Sequence, residues 1–470
     1  MEFVKKIVDR SKIISFVLVL LALVHRFFGD SKWQYYPLYL LAFIYFAFIA
    51  FYSLDFFTLT PRISRWTIGI GVFLIILTVI TLKVFPKTEM LLPTGDFKIG
   101  TQTFELEDSA REELYTEEAN DKRRLKYQVW YPTDDTDGLE KVKWLSDGTL
   151  VPRHLLKSAT LPAPPFILDQ LAEVDSNSYA DAELSEAGDK YPVIIISHGW
   201  RGFRELHADF AEDLASHGYF VISIDHTYGA EAVKFDDGSV AYLNREALPK
   251  MVRPSIFSQK AYQLALTYGK DVKMVLDDLE NLTEKFDEKL DLEKIGLLGH
   301  STGGAGDVFV GLRDERVKAI IGMDAWVNPL DLEELRDGLA MPALFLRSKQ
   351  WAWRESREPL NLLVRNSPDA RIVEMDKTKH LDFPMIYMLS PYTKKIGLTG
   401  ELGGRESSII QRGIIRDFFD DKLKGKEFSK NYLKEYVETY EHLNFEREDE
   451  WFEELSELIN TEISKEREKK

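Results

Sequence analysis

A doubly wound, mostly parallel α/β sheet, preceded by a three-helix transmembrane anchor, is the fold class this sequence predicts. Three observations predict it. Apolar stretches at about 10–28, 35–54 and 66–84 crowd the first ninety residues. From Tyr191 onward, apolar strands alternate with amphipathic helical patterns. Finally, the run Ile295-Gly296-Leu297-Leu298 leads straight into Gly299-His300-Ser301-Thr302-Gly303, the pattern of a strand that turns sharply into a helix.

The anchor is read first. The second stretch holds twenty residues without a charge, enough to cross a bilayer as helix. Trp33, Tyr35, Tyr36, Tyr52 and Trp66 stand at the ends of the stretches, where amphipathic rings meet headgroups. The first stretch is interrupted by His25 and Arg26, and its apolar part gives only about 24 Å of helix. A secretory signal peptide is the competing reading, but Phe27-Phe28-Gly29 offers no small-x-small cleavage site, so the segment is expected to stay.

Residues 1–90 carry a net charge of +5, and the remainder carries −22. So acidic a globular part disfavours nucleic acid as a partner. Lys5, Lys6, Arg10, Lys12, Arg62 and Arg65 outnumber Arg26, Lys32, Lys83 and Lys87 on the other side of the spans. The positive-inside rule then puts the first set in the cytoplasm and everything after Lys87 outside. If the first stretch only lies on the surface, the globular part returns to the side of the N-terminus. The chain has no cysteine, so no disulfide framework indicates a compartment.

Residues 91–420 are expected to form the globular domain. A short strand at 101–106 and an exposed acidic face at 112–120 come first. Leu125-Lys126-Tyr127-Gln128-Val129-Trp130-Tyr131 alternates as a half-buried strand should, until Pro132. An irregular insertion, rich in Pro, Asp and Ser, is expected at 133–190. Then follow a strand at 193–197, a helix with Phe203, Leu206, Phe210 and Leu214 on one face, and a strand at 219–224. A helix at about 258–282 turns Val272, Val275, Leu279 and Leu282 inward. Strands at 295–298, 317–323, 343–346 and 371–373 complete the sheet, whose ligands belong beyond the carboxyl ends of the strands. Residues 421–470 read as a charged helical extension.

Ser301 is the candidate nucleophile, because the flanking glycines allow the tight turn that projects its hydroxyl. A hydrolase of this type then needs, in chain order, a carboxylate and a histidine at later strand ends. Asp324 closes the strand Ile320-Ile321-Gly322-Met323, and His380 follows the last strand. Asp324 would orient His380, the general base. Glu355 is the competing carboxylate. His300 is expected to point away from the nucleophile, and His154, His207, His217, His226 and His442 hold poorer positions. Backbone N–H groups of Trp200, after Ser197-His198-Gly199, and of Thr302 are the candidate oxyanion donors.

These residues carry a resemblance. Ile196-Ser197-His198-Gly199 with Phe203-Arg204, Glu212-Asp213-Leu214-Ala215-Ser216-His217-Gly218-Tyr219, Ile224-Asp225-His226, Gly299-His300-Ser301-Thr302-Gly303-Gly304 and Met323-Asp324-Ala325-Trp326 resemble the platelet-activating factor acetylhydrolases. Pro93-Thr94-Gly95, Ile99-Gly100-Thr101 and Gln128-Val129-Trp130-Tyr131-Pro132 fit the same pattern, so the likeness runs from about residue 92 to 420. It implies an α/β-hydrolase fold, the triad Ser301, Asp324 and His380, oxyanion donors at Trp200 and Thr302, and neither metal nor cofactor. It also implies hydrolysis of short or oxidised acyl chains on phospholipids. Two departures stand out: the anchor is foreign to the soluble members, and Thr302 replaces the Phe common after their serine. A broad carboxylesterase and an inactive membrane scaffold or receptor are the alternatives. The partners implied are an ester or phospholipid and a lipid bilayer.

Overall fold

Residues 2–426, apart from 30–31, 57–59, 119, 159–162 and 352–353, are described by the computed structural model, together with 443–444. Helices α1 (Glu2–Phe28), α2 (Tyr36–Ser53) and α3 (Pro61–Val84) come first. Each holds a window long and apolar enough to cross a membrane: Arg10–Phe28, Trp33–Ser53 and Arg65–Val84. Only 6%, 0% and 11% of these windows are buried, so many of their apolar side chains are exposed or half-exposed. The first window is nineteen residues long, longer than its uninterrupted apolar core, because the helix continues through His25 and Arg26. Thr60 caps α3 by accepting from the Ile63 N–H at 3.3 Å, which satisfies one of the free amides of the first turn.

The sheet follows. Its strands are β1 (Lys98–Glu112), β2 (Lys122–Thr133), β3 (Lys141–Lys143), β4 (Asp175–Ala180), β5 (Tyr191–Ser197) and β6 (Phe220–Asp225). A hairpin of β7 (Ala232–Lys234) and β8 (Val240–Tyr242) stands apart, before β9 (Leu290–His300), β10 (Val317–Met323), β11 (Ala343–Ser348) and β12 (Ala370–Met375). In space the order is β12-β11-β10-β9-β5-β6-β2-β1-β4-β3, with Leu443–Asn444 beyond β12. The run from β12 to β6 is parallel, and β2 is antiparallel to both its neighbours.

Helices cover both faces, as a parallel sheet requires. Side chains along β5 alternate. Ile194 and Ile196 meet α5 (Ala208–Ser216) and α10 (Gly404–Lys424), whereas Val193 and Ile195 meet α6 (Pro254–Lys285) and α7 (Thr302–Gly311). The doubly wound α/β-hydrolase architecture read from the sequence is the one observed.

Three local expectations are corrected. The 133–190 segment is not merely irregular: β3 and β4 extend the sheet, and α4 (Leu150–Ser158) packs on a 3-10 turn at Pro165–Glu173. The short strand at 101–106 is a fifteen-residue strand, paired with β2 along most of its length. Glu113, expected on an exposed face, is buried on Arg123 at 2.8 Å, because a buried guanidinium needs carboxylate partners. Of the predicted 421–470 extension, residues 427–442 and 445–470 lie outside the described residues.

The three N-terminal helices join the domain at a definite place. Ser390 Oγ donates to the Val84 carbonyl at 2.6 Å, and Thr88 Oγ1 donates to the Met388 carbonyl at 3.3 Å. Neighbouring Tyr387 donates to Asp209, in the first turn of α5, so this contact sits at the carboxyl edge of the sheet. From there the linker descends along α10: Arg405 reaches the Glu89 carbonyl and Arg412 that of Leu92. Trp33 meets Phe85 and Phe166 at 5.6 and 5.5 Å between ring centroids.

Candidate active site

Three loops converge on Ser301 at the carboxyl edge. Strand β9 ends at His300 and α7 starts at Thr302, so Ser301 makes the turn alone, with φ 54° and ψ −117°. Such a backbone costs a non-glycine residue about 1–3 kcal/mol. Its neighbours hold it there: the Ser301 N–H donates to Met323 O at 3.0 Å, and its carbonyl accepts from the Trp326 N–H at 2.8 Å. The turn after β5 lies directly against this elbow. A Cβ on Gly199 would fall 2.9 Å from Ser301 Cβ, and one on Gly303 would fall 2.2 Å from Ser197 O.

Asp324 follows β10 and is 1% exposed. The parallel register of β10 and β11 sets Ser348 beside it, and Ser348 donates both its N–H and its hydroxyl to the carboxylate at 2.6 Å. Asp324 Oδ2 also lies 3.0 Å from His380 Nδ1, and His380 Nε2 lies 3.1 Å from Ser301 Oγ. Hydrogen bonding therefore assigns the imidazole proton to Nδ1 and leaves Nε2 to accept from the serine. The structure thus brings Ser301, Asp324 and His380 together in one hydrogen-bonded line. Glu355 is the second residue of the helix Arg354–Arg365 after β11; the Nδ1 of His380 is already taken by Asp324.

Sequence reasoning missed the residues that hold His380 in place. The Trp351 ring stacks on it with centroids 4.1 Å apart and planes at 11°, and Gln350 accepts its backbone N–H at 3.1 Å. Both follow β11 at the carboxyl edge, and that position was the available signal. The His300 ring packs behind that of His380 at 4.6 Å, with its Nε2 3.3 Å from the His380 carbonyl. Burial, and then the neighbouring His380, hold the His300 pKa well below that of an ordinary histidine. It is a neutral wall that does not repel a cation forming on His380. Burial likewise pushes His207 down to about 3.

The turn bearing Trp200 is braced from below. Nδ1 of His198 donates to Gly199 O at 2.7 Å, and its Nε2 accepts the His226 N–H at 3.2 Å. The buried Arg204–Asp225 ion pair ties the same loop to the end of β6. Among the described residues the N–H groups of Trp200 and Thr302 have no hydrogen-bond acceptor. Thr302 also opens α7, where helix amides concentrate partial positive charge. A cavity of about 540 Å³, lined by Gln350, Trp351, Lys379, His380, Leu381, Gly397 and Leu398, opens beside the imidazole. Among the described residues no group of three or more His, Cys, Asp or Glu side chains is arranged to hold a metal ion.

The sequence profile of platelet-activating factor acetylhydrolase, isoform II, matches residues 82–238 and 257–435. The chain belongs to this family. The platelet-activating factor acetylhydrolase of Canis lupus familiaris is 28% identical over 217 residues, 42% of this chain and 48% of that protein. That of Bos taurus is 31% identical over 189 residues, 35% of this chain and 42% of that protein. The chain thus spans about half the length of these relatives or less. A protein of Arthroderma benhamiae described as a probable 1-alkyl-2-acetylglycerophosphocholine esterase is 24% identical over 71% of this chain and 88% of its own length. Among solved structures, a ferulic acid esterase from Streptomyces cinnamoneus superposes with TM-score 0.59 at 24% identity, covering 73% of this chain and 95% of that one. That likeness shows a shared fold. The acetylhydrolase family profile covers the whole Ser301–Asp324–His380 region.

Proposed function

We propose that this chain is a membrane-anchored serine ester hydrolase acting through an acyl-enzyme on short-acyl or oxidised phospholipids or related lipid esters. One observation carries it: a single imidazole, on His380, bridges the Ser301 hydroxyl and the Asp324 carboxylate. Membership of the acetylhydrolase family and the relatives' names support the ester class.

In the proposed reaction, Ser301 Oγ bonds to the ester carbonyl carbon as its proton passes to His380 Nε2. The carbonyl π pair moves onto oxygen, which the N–H groups of Trp200 and Thr302 stabilise. Collapse breaks the bond to the alcohol oxygen, and that oxygen takes the proton from His380. Water then attacks the acyl carbon, gives its proton to His380 and releases the acid, and the proton returns to Ser301. Asp324 keeps the imidazole oriented and stabilises its cationic form.

Residues 1–90 would serve as a multi-pass anchor, 91–420 as the catalytic domain and 421–470 as an extension. The ends of α1 and α3 and the start of α2 lie on the domain's side, so the basic N-terminal and 62–65 clusters fall on the opposite, cytoplasmic side. The catalytic domain is then extracytoplasmic.

The test is labelling of the full chain by a fluorophosphonate probe, followed by hydrolysis of a short-acyl phospholipid and of a soluble aryl ester. Labelling abolished by Ser301→Ala is expected. Folded protein that does not label would refute the enzyme reading and favour a scaffold, and aryl-ester turnover without phospholipid turnover would point to a broad carboxylesterase.

A further inference from the structure

The loop that leads into α6 carries an exposed apolar tip. Met251 is 97% exposed, Val252 38% and Ile256 43%. Exposed Lys250 and Arg253 flank them, two cations on a domain whose overall charge is strongly negative. The segment also falls in the gap between the two stretches matched by the family profile, 82–238 and 257–435. Strand β9 begins after α6 ends, so α6 runs antiparallel to the strands, and its first turn stands at the carboxyl edge with the candidate active site. The link to that site is short. The Phe257 ring lies 6.3 Å from that of Trp326, whose N–H donates to the Ser301 carbonyl, and Leu248 packs with Trp200 in one apolar cluster.

The three spans reach the same edge from the opposite face of the sheet, through Val84, Ser390, Thr88 and Met388. A bilayer that holds α3 therefore faces the carboxyl edge, and the 250–256 tip is an exposed apolar element on the other flank of the mouth. We propose that residues 250–256 dip into the lipid surface as a second membrane contact, so that the mouth over Ser301 is held against the bilayer from both sides. The physical terms agree. Leaving water favours the side chains of Met251, Val252 and Ile256, and Lys250 and Arg253 meet lipid phosphates at headgroup level. The ester substrate would then enter from the membrane without crossing bulk water, a deepening that rests on the lipid-ester reading above.

The chain has no cysteine, so Met251→Cys accepts a single environment-sensitive fluorophore. Glu284→Cys, exposed and about 45 Å away along α6, is the control. With the full chain in phosphatidylcholine and phosphatidylglycerol vesicles, nitroxide-bearing lipids are expected to quench the label at 251 and to spare the one at 284. Equal quenching at both positions would overturn the proposal. So would a label at 251 that is shielded from iodide yet untouched by nitroxide lipids, since protein would then be its cover. The double variant Met251→Asp with Ile256→Asp should lower the ratio of vesicle-phospholipid to soluble-ester turnover by about tenfold or more; an unchanged ratio would count against the docking. Depth quenching needs no activity. Quenching without fluorophosphonate labelling would uphold the docking and defeat the esterase reading.

Discussion

Gly199→Ala is the most searching single substitution at this site. The added Cβ would stand 2.9 Å from Ser301 Cβ and 3.0 Å from His300 Nδ1, whereas unstrained carbon contacts lie at about 3.5–4.0 Å. Something must move by roughly 0.6–1.1 Å. Ser301 is pinned through its backbone to Met323 and Trp326, and the His300 ring is 4% exposed, so neither gives way freely. A misplacement of about 1 Å at a reacting group costs about a hundredfold in rate, near 2.7 kcal/mol. The strain itself should lower stability by about 1–3 kcal/mol. The assay is the second-order rate of fluorophosphonate labelling beside a thermal unfolding curve. Gly296→Ala supplies the control, because its Cβ would meet Phe419 at 2.7 Å and Ile194 at 2.8 Å, in the core away from the elbow. It should lose stability similarly and keep the labelling rate. If folded Gly199→Ala labels at the wild-type rate, the turn is not seated against the nucleophile as described, and the assignment of Trp200 as an oxyanion donor loses its geometric basis.

Asp324→Asn should lower ester turnover by up to about 10⁴-fold, while Glu355→Gln stays near wild type; a large loss in Glu355→Gln alone would transfer the role. Trp351→Ala should slow labelling by up to about tenfold, the weight of one aromatic stack, and Trp351→Phe should restore most of it. A purely structural role would instead lower the unfolding temperature and leave the rate untouched. Glu212 is buried, pairs with no cation among the described residues, and accepts from the Asn177 N–H and side-chain amide and from the Ser178 hydroxyl. Burial raises its pKa from 4.5 to about 7. The folded state therefore holds this proton more tightly than the unfolded state. Its contribution is full below about pH 4.5 and fades as pH rises through 7, by about 3 kcal/mol in all. Denaturant titrations of wild type and Glu212→Gln between pH 5 and 8 should show a flatter decline in the variant; parallel curves would exclude Glu212 as the source.

Much of the site was legible because its chemistry is tied to local turns. Ser301 stands out through the glycines that let a strand meet a helix, and Asp324 through its position at the end of an apolar strand. His380 was harder, since a lone histidine in a loop carries no periodic signal; chain order selected it. Ser348, Gln350, Trp351 and His300 were not legible as supports. Their roles depend on which strands lie side by side, and the β9-β10-β11 order appears in no local pattern. The 133–190 segment shows the same limit. Short strands such as β3 and β4 are stabilised by their neighbours across the sheet, so their own residues bear little strand preference.

By itself the sequence determined the alternation of strands and helices, the three long apolar segments, the charge contrast between residues 1–90 and the remainder, and the chain order of Ser301, Asp324 and His380. All of these are written in spacing along the chain, because burial and turn geometry act on residues a few positions apart. Only the tertiary structure decided that Asp324 and Ser301 meet the same imidazole from opposite sides, that a neutral His300 backs it, and that the N-terminal apolar helices and the 250–256 loop reach one edge of the sheet. Those facts join residues tens to hundreds of positions apart, and such distances are set by how strands order themselves and how helices cross back over them.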